Sequence, residues 1–200
     1  MSLLLDRSAR FSNDAQILGD IRESSCNLAV WKRAPLPQAA DFVNEMKPDL
    51  RFTEKVSAMK RTLTEQLYSG GAARSPICRA VVEDVAMLAH KFSAIADVDA
   101  LDLRLVVVTN DACRKFHADY VSTRLITTYF GTGTQWLDDQ EVERLRAGEE
   151  PRTINSLATG DVGVFKGKLA TNKPAIHRSP PISATGEKRL LLVLNPARGD

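Results

Sequence analysis

Two periodicities divide the chain, and they change over near residue 100. Before that point apolar residues recur at helical spacing. In SPICRAVVEDVAMLAHKFSAIAD, Ile77, Val81, Val85, Leu88 and Phe92 make one stripe, with Ser75 placed to cap and Pro76 at the first helical position. FTEKVSAMKRTLTEQLYSGG predicts a second helix: Val56, Met59, Leu63 and Leu67 form its buried face, Thr53 its cap, and Gly70 and Gly71 its stop. Shorter helices are expected over 14–23 and 38–46, with CNLAVWKR between them as an edge strand. After residue 100 the period shortens. LDLRLVVVTN, STRLITTYF, GDVGVFKG and KRLLLVLN read as strands, separated by the turn signals GTGT, ATGD and SPPISATG. DDQEVERLRAGEE reads as a polar insertion with one helical turn. No long helices alternate with these strands, which points away from a βαβ fold and toward a sandwich or jelly-roll barrel. The expected architecture is a single α+β domain over 1–200. In it a mainly helical part, 1–100, packs on a jelly-roll or cupin-like core, 101–200.

Composition narrows the function classes. The 200 residues are 44% hydrophobic and 26% charged, with a formal net charge of +2, as in an ordinary soluble globular domain. Neither half carries a basic block, which argues against a nucleic-acid partner. The opening MSLLLDRSAR is too short an apolar run for a signal-peptide core, and no run approaches a membrane span, so a cytoplasmic protein with no membrane partner is expected. Cys26, Cys78 and Cys113 are scattered, with no CxxC pair, and make neither a disulfide framework nor a cysteine zinc site. The helical half could build a substrate wall or a homodimer surface.

The chemistry is concentrated in KFHADYVSTRLITTYFGTGTQWL. On a strand, His117 and Asp119 would project from one face. Burying both without a partner is costly, and a divalent metal resolves that cost by accepting lone pairs from each. A third ligand is then needed. His90 lies in the long amphipathic helix and reads as a structural or surface residue. His177, in KPAIHRSPP before the last strand, completes a His-x-Asp plus distant His set. That set is the facial triad of non-haem iron(II) oxygenases, which leaves the opposite side of the metal open. Cys113 could add a soft ligand and shift the preference toward zinc.

Several segments resemble prolyl-hydroxylase-like, Fe(II)/2-oxoglutarate-dependent oxygenases. GTGTQWL is similar to their Gly-Gly-x-Thr-x-Phe segment, with Trp136 at the aromatic position. LATGDVGVFKG is similar to the segment before their distal His, and HRSPPISATGEKRLLL to the stretch after it. KFHADY, GTGTQWL, GDVGVFKG and IHRSPP, in that order, also resemble a bacterial family known only as a domain of unknown function. The oxygenase resemblance implies a double-stranded β-helix with Fe(II) on His117, Asp119 and His177. It also implies 2-oxoglutarate, whose far carboxylate is held by a basic residue opening the final strand, Arg189 or Lys188. Arg is favoured because its planar guanidinium grips a carboxylate through two parallel hydrogen bonds. Tyr120, Thr128 and Tyr129 offer hydroxyls that, on an inward face, can bond a bound acid. Trp136 is expected to anchor the glycine turn by packing. The expected activity is hydroxylase-type oxygenation of a small-molecule or protein substrate. The alternative is a zinc-binding cupin-like protein without oxygenase activity.

Overall fold

The computed structural model describes residues 8–45 and 49–197. The opening MSLLLDR and Met46, the last residue of the expected 38–46 helix, lie outside them. Among the described residues, two sheets and four α-helices make a mixed α+β fold. The larger sheet has seven strands in the order β1 (Ala9–Ser12), β2 (Leu28–Trp31), β8 (Val162–Lys166), β5 (Thr123–Phe130), β10 (Arg189–Pro196), β4 (Ala100–Val108) and β3 (Leu50–Lys55). All its pairings are antiparallel except β1 with β2. A three-stranded sheet is built from β7 (Asn155–Ser156), β6 (Gln135–Trp136) and β9 (His177–Arg178).

Strand alternation gives the large sheet two different faces. One face presents Leu101, Leu103 and Leu105 of β4, Leu190, Leu192 and Leu194 of β10, and Val162 and Val164 of β8. These pack against α2 (Val56–Ser69) and α3 (Pro76–Ala96), whose buried residues include every position of the two predicted stripes. Each fully buried side chain of this kind contributes about 1.5–3 kcal/mol, so this face holds the main core. The other face carries Val30, Ile126 and Phe165, which meet Trp136, Leu157 and Ala175 in a smaller cluster. The small sheet lies on this side, because β6 supplies Trp136 and β9 supplies His177, whose ring lies 4.7 Å from that of Phe165.

The helix boundaries follow from local chemistry. Ser75 accepts a hydrogen bond from the Cys78 amide and caps α3, with Pro76 at its first position. Asp14 caps the 3₁₀ helix Ala15–Arg22, and α1 runs Ala39–Glu45. The polar insertion forms α4, Asp139–Arg146, capped by Asp138 and longer than the single turn expected.

Three expectations are corrected. Thr53 does not cap α2, because residues 50–55 are drawn into β3 by pairing with β4, and Thr53 donates instead to Asp102 at 2.6 Å. CNLAVWKR is not an edge strand, since β1 pairs with β2 and takes the edge. The sheet is also not confined to residues 101–200: β1, β2 and β3 come from the first hundred, where alternating stretches are too short to outweigh the helical signal. Among the described residues no helix is long and apolar enough to cross a membrane.

A buried polar knot ties the helices to the sheet. Arg33 donates to both oxygens of Asp84 on α3, at 2.5 and 2.8 Å, and the Tyr129 hydroxyl donates to Asp84 at 2.7 Å. Burial and the Asp84 charge together raise the Tyr129 phenol well above its ordinary pKa. Replacing Asp84 with Ala would strand a largely buried guanidinium and is expected to cost about 3–5 kcal/mol. Tyr129→Phe deletes one bond, at about 1 kcal/mol. Urea unfolding of the two variants checks the order.

Candidate metal centre

The segment from β4 to β5 carries His117 and Asp119, and it is a loop rather than the start of a strand. Its one point of sheet geometry is an antiparallel bridge between His117 and His177, with both amide-to-carbonyl bonds at 3.0 Å. Residues 119–122 are then fixed from the far side. Asp119, Val121 and Ser122 accept amide bonds from Lys168, Leu169 and Gly167 at 2.9, 3.1 and 2.8 Å. A Cβ at Gly167 would come within 2.1 Å of the Val121 carbonyl oxygen, so this close approach requires glycine. The glycine that ends GDVGVFKG therefore seats the carboxylate-bearing loop.

The fold brings the three side chains together. One ligand atom from each of His117, Asp119 and His177 lies within 4.8 Å of the other two. His177 Nε2 is 3.1 Å from Asp119 Oδ2, and His117 Nε2 is 3.7 Å from Asp119 Oδ1. Each Nδ1 faces a backbone carbonyl, that of Lys115 at 2.9 Å for His117 and that of Ala175 at 3.2 Å for His177. A carbonyl only accepts, so in the neutral rings the proton sits on Nδ1 and Nε2 presents a lone pair. The 3.1 Å approach is then acceptor against acceptor, and the buried Asp119 Oδ2 is left without a donor. Only a cation or an added proton relieves that contact. Two imidazole nitrogens and one carboxylate oxygen, with both ring orientations set by carbonyls, fit a divalent transition metal with coordination sites left free.

Burial pushes the Asp119 carboxyl up, but His177, Arg124 and His117 outweigh it and hold the group below its ordinary pKa. Arg124 Nη1 donates to Asp119 Oδ1 at 2.5 Å while its Nε donates to Asn195 at 2.7 Å, which fixes the carboxylate's orientation. Nothing in the motif reading singled out Arg124. The available signal was a charged residue two positions before Ile126 on a strand whose alternation points both to the same face.

Arg189 and Lys188 separate as neighbours on a strand should. Lys188 is exposed, whereas Arg189 is wholly buried. The Arg189 guanidinium donates to the Thr132 carbonyl at 2.5 Å, Ser179 Oγ at 2.7 Å, Thr128 Oγ1 at 3.3 Å and Thr134 Oγ1 at 3.5 Å. All four partners are neutral, and burial pulls its pKa down to about 10. Thr128 thus joins this pocket. Tyr129 does not: it points through the opposite face into the Arg33–Asp84 knot, and its expected cosubstrate role is corrected by alternation. His90 is exposed on α3. Cys26 and Cys78 are buried, and Cys113 is exposed and lies outside the three-ligand group. Arg178 stacks over Phe116 at 4.3 Å, linking the residue after one histidine to the residue before the other.

An α+β protein with a large sheet, carrying a His–Asp–His group able to hold a metal, is the class these features define. The chain belongs to the family described as "Protein of unknown function (DUF1826)", whose model matches residues 12–195. No curated protein matches it. Among solved structures it is similar to a prolyl-4-hydroxylase from Pseudomonas putida, at 12% identity and TM-score 0.37, covering 84% of this chain and 99% of that one. It is also similar to the rice dioxygenase for auxin oxidation, at 14% identity and TM-score 0.44, covering 82% of this chain and 65% of that one. A third is a full-length Neurospora crassa protein solved in complex with alpha-KG and thymine, at 13% identity and TM-score 0.36, covering 84% of this chain and 62% of that one. The chain spans nearly all of the first and less than two thirds of the other two.

Isothermal titration with Zn(II) tests the centre. His177→Ala is expected to abolish the one-to-one event. Arg124→Met, which leaves the three ligands in place but frees the carboxylate, should weaken it about 10–100-fold.

Proposed function

We propose that this protein is a non-haem Fe(II)/2-oxoglutarate-dependent oxygenase of the hydroxylase type, built on a double-stranded β-helix. The observation that carries the reading is a wholly buried guanidinium, Arg189, on the same sheet face as a three-donor metal group. It hydrogen-bonds neutral groups and forms no ion pair among the described residues, with the Glu187 charge acting on it only at longer range. A charge desolvated to this degree is expensive unless an anion completes it. A metal protein with no acidic cosubstrate has no use for it, which favours the oxygenase over the zinc-binding alternative.

His117, Asp119 and His177 would hold the metal from one side. Bound Fe(II) with 2-oxoglutarate supplies oxidation of a C–H bond by dioxygen. Arg189 would receive the far carboxylate of the cosubstrate, assisted by the hydroxyls of Ser179, Thr128 and Thr134. Arg124 keeps the Asp119 carboxylate turned toward the histidines. Val30, Ile126 and Phe165, closed over by Trp136, keep bulk water from that side of the centre. The bridge between His117 and His177 holds the two imidazoles in register, so the chain supplies a preorganised site.

Anaerobic addition of Fe(II) and then 2-oxoglutarate should produce a visible charge-transfer absorption in the wild type. Arg189→Met should retain metal binding and folding, since a buried unpaired charge has been removed. It should weaken 2-oxoglutarate binding at least about 30-fold, from losing a buried charge partner worth about 2–5 kcal/mol. Tight Zn(II) binding with no absorption on adding Fe(II) and 2-oxoglutarate, and no succinate in air, would sink the proposal.

A further inference from the structure

A second group of cations occupies the open face of the large sheet, on the strands that adjoin the centre. Arg104 on β4 stands directly across from Arg51 on β3 and from Val193 on β10, and Val193 in turn pairs with Ile126, two residues from Arg124. The three arginines therefore project from one face, opposite the leucine-rich face under the helices. The Arg104 Nε is buried and has no hydrogen-bond partner. Burial, then repulsion from Arg51 and Arg124, lowers its pKa. Neither Arg51 nor Arg104 forms an ion pair among the described residues. The nearby carboxylates are already engaged: Asp119 by Arg124, Asp102 by the Thr53 hydroxyl, and Asp49 by the Val107 amide.

A cleft of about 370 Å³ opens beside this group, and Arg124 is the arginine of the three that lines it. Arg124 and Asn195 line it together with Asp102 and Ser122, and Tyr120 and Leu169, exposed by 70% and 58%, stand at its rim. Arg124 thus touches a metal ligand on one side and the cleft on the other. The volume suits a small molecule.

We propose that Arg124, reinforced by the charge of Arg104 on the same sheet face, makes this cleft an anion subsite that receives a carboxylate or phosphate group of a small-molecule substrate. Its assignment to the substrate rests on the oxygenase reading; the anion binding itself does not. The site is separate from Arg189, which stands at the other end of β10 from Asn195 and is bound by its own set of hydroxyls. The Tyr120 ring and the Leu169 side chain would cover the apolar part of the bound molecule. Anion binding would relieve the repulsion that Arg51 and Arg124 exert on Arg104, which forms no ion pair of its own among the described residues.

The test is thermal unfolding of the metal-free full chain in sodium phosphate or sodium acetate, each against sodium chloride of equal ionic strength, which controls for screening. One of the two anions should raise the wild-type midpoint by about 3 °C or more over chloride, and the one with the larger effect identifies the group recognised. Arg104→Met should lose that increment while unfolding in chloride at or above the wild-type temperature, because a repelled charge has been removed. Arg189→Met should keep the increment. Should Arg104→Met not fold, Arg104→Gln is the second variant, and the same loss of the increment is expected. Equal midpoints in all three salts overturn the subsite, as does an Arg104→Met protein that responds like the wild type. If these results hold while Zn(II) binding at His117, Asp119 and His177 fails, the metal reading falls and the anion site stands. The converse pattern removes the anion site alone.

Discussion

Three acceptor atoms that bring no proton of their own are forced together at the centre of this protein. Both histidines spend their Nδ1 proton on a backbone carbonyl, and Asp119 brings only oxygen lone pairs. Left empty, such a meeting repels, so the surrounding fold has to hold it closed. It does so with main-chain bonds: the mutual bridge of His117 and His177, and the three amides of residues 167–169 that grip the 119–122 loop. Side-chain packing alone would be more forgiving of a displaced ligand than this ladder.

The large sheet separates stability from chemistry by its pleat. Every second residue faces the helices, and these positions are mostly apolar, with Tyr129 tied into the Arg33–Asp84 knot, where each charge has its partner. The alternate residues include Arg104, Arg124, Thr128 and Arg189, several of them buried with less than full compensation. Thr128 and Tyr129 are adjacent in sequence and belong to different enterprises. Such a division lets one face tolerate uncompensated charge because the other supplies the core, which is how functional sites commonly coexist with a stable domain.

The three candidate ligands were readable from residue type and order because few side chains can bind a metal and the chain has only three histidines. The long helices were readable because Ile77 through Phe92 repeat at helical spacing and Ser75–Pro76 mark the start. Residues 50–55 were not, since their strand character comes from pairing with β4, a contact far away in sequence. The same applies to Arg124 and Gly167. One gains its meaning from an ion pair across a loop, and the other from a carbonyl that leaves no room for a Cβ. Tyr129 was misplaced for a local reason, its parity relative to Thr128, which strand alternation could have settled.

The account turns on one ion coordinated by three residues remote in sequence. Anomalous diffraction from crystals of the metal-loaded protein, recorded at the metal's absorption edge, tests that directly. A single strong peak within bonding distance of His117 Nε2, His177 Nε2 and an Asp119 oxygen is the predicted result. A peak elsewhere, or imidazoles that bind each other's protons with no metal between them, would contradict it.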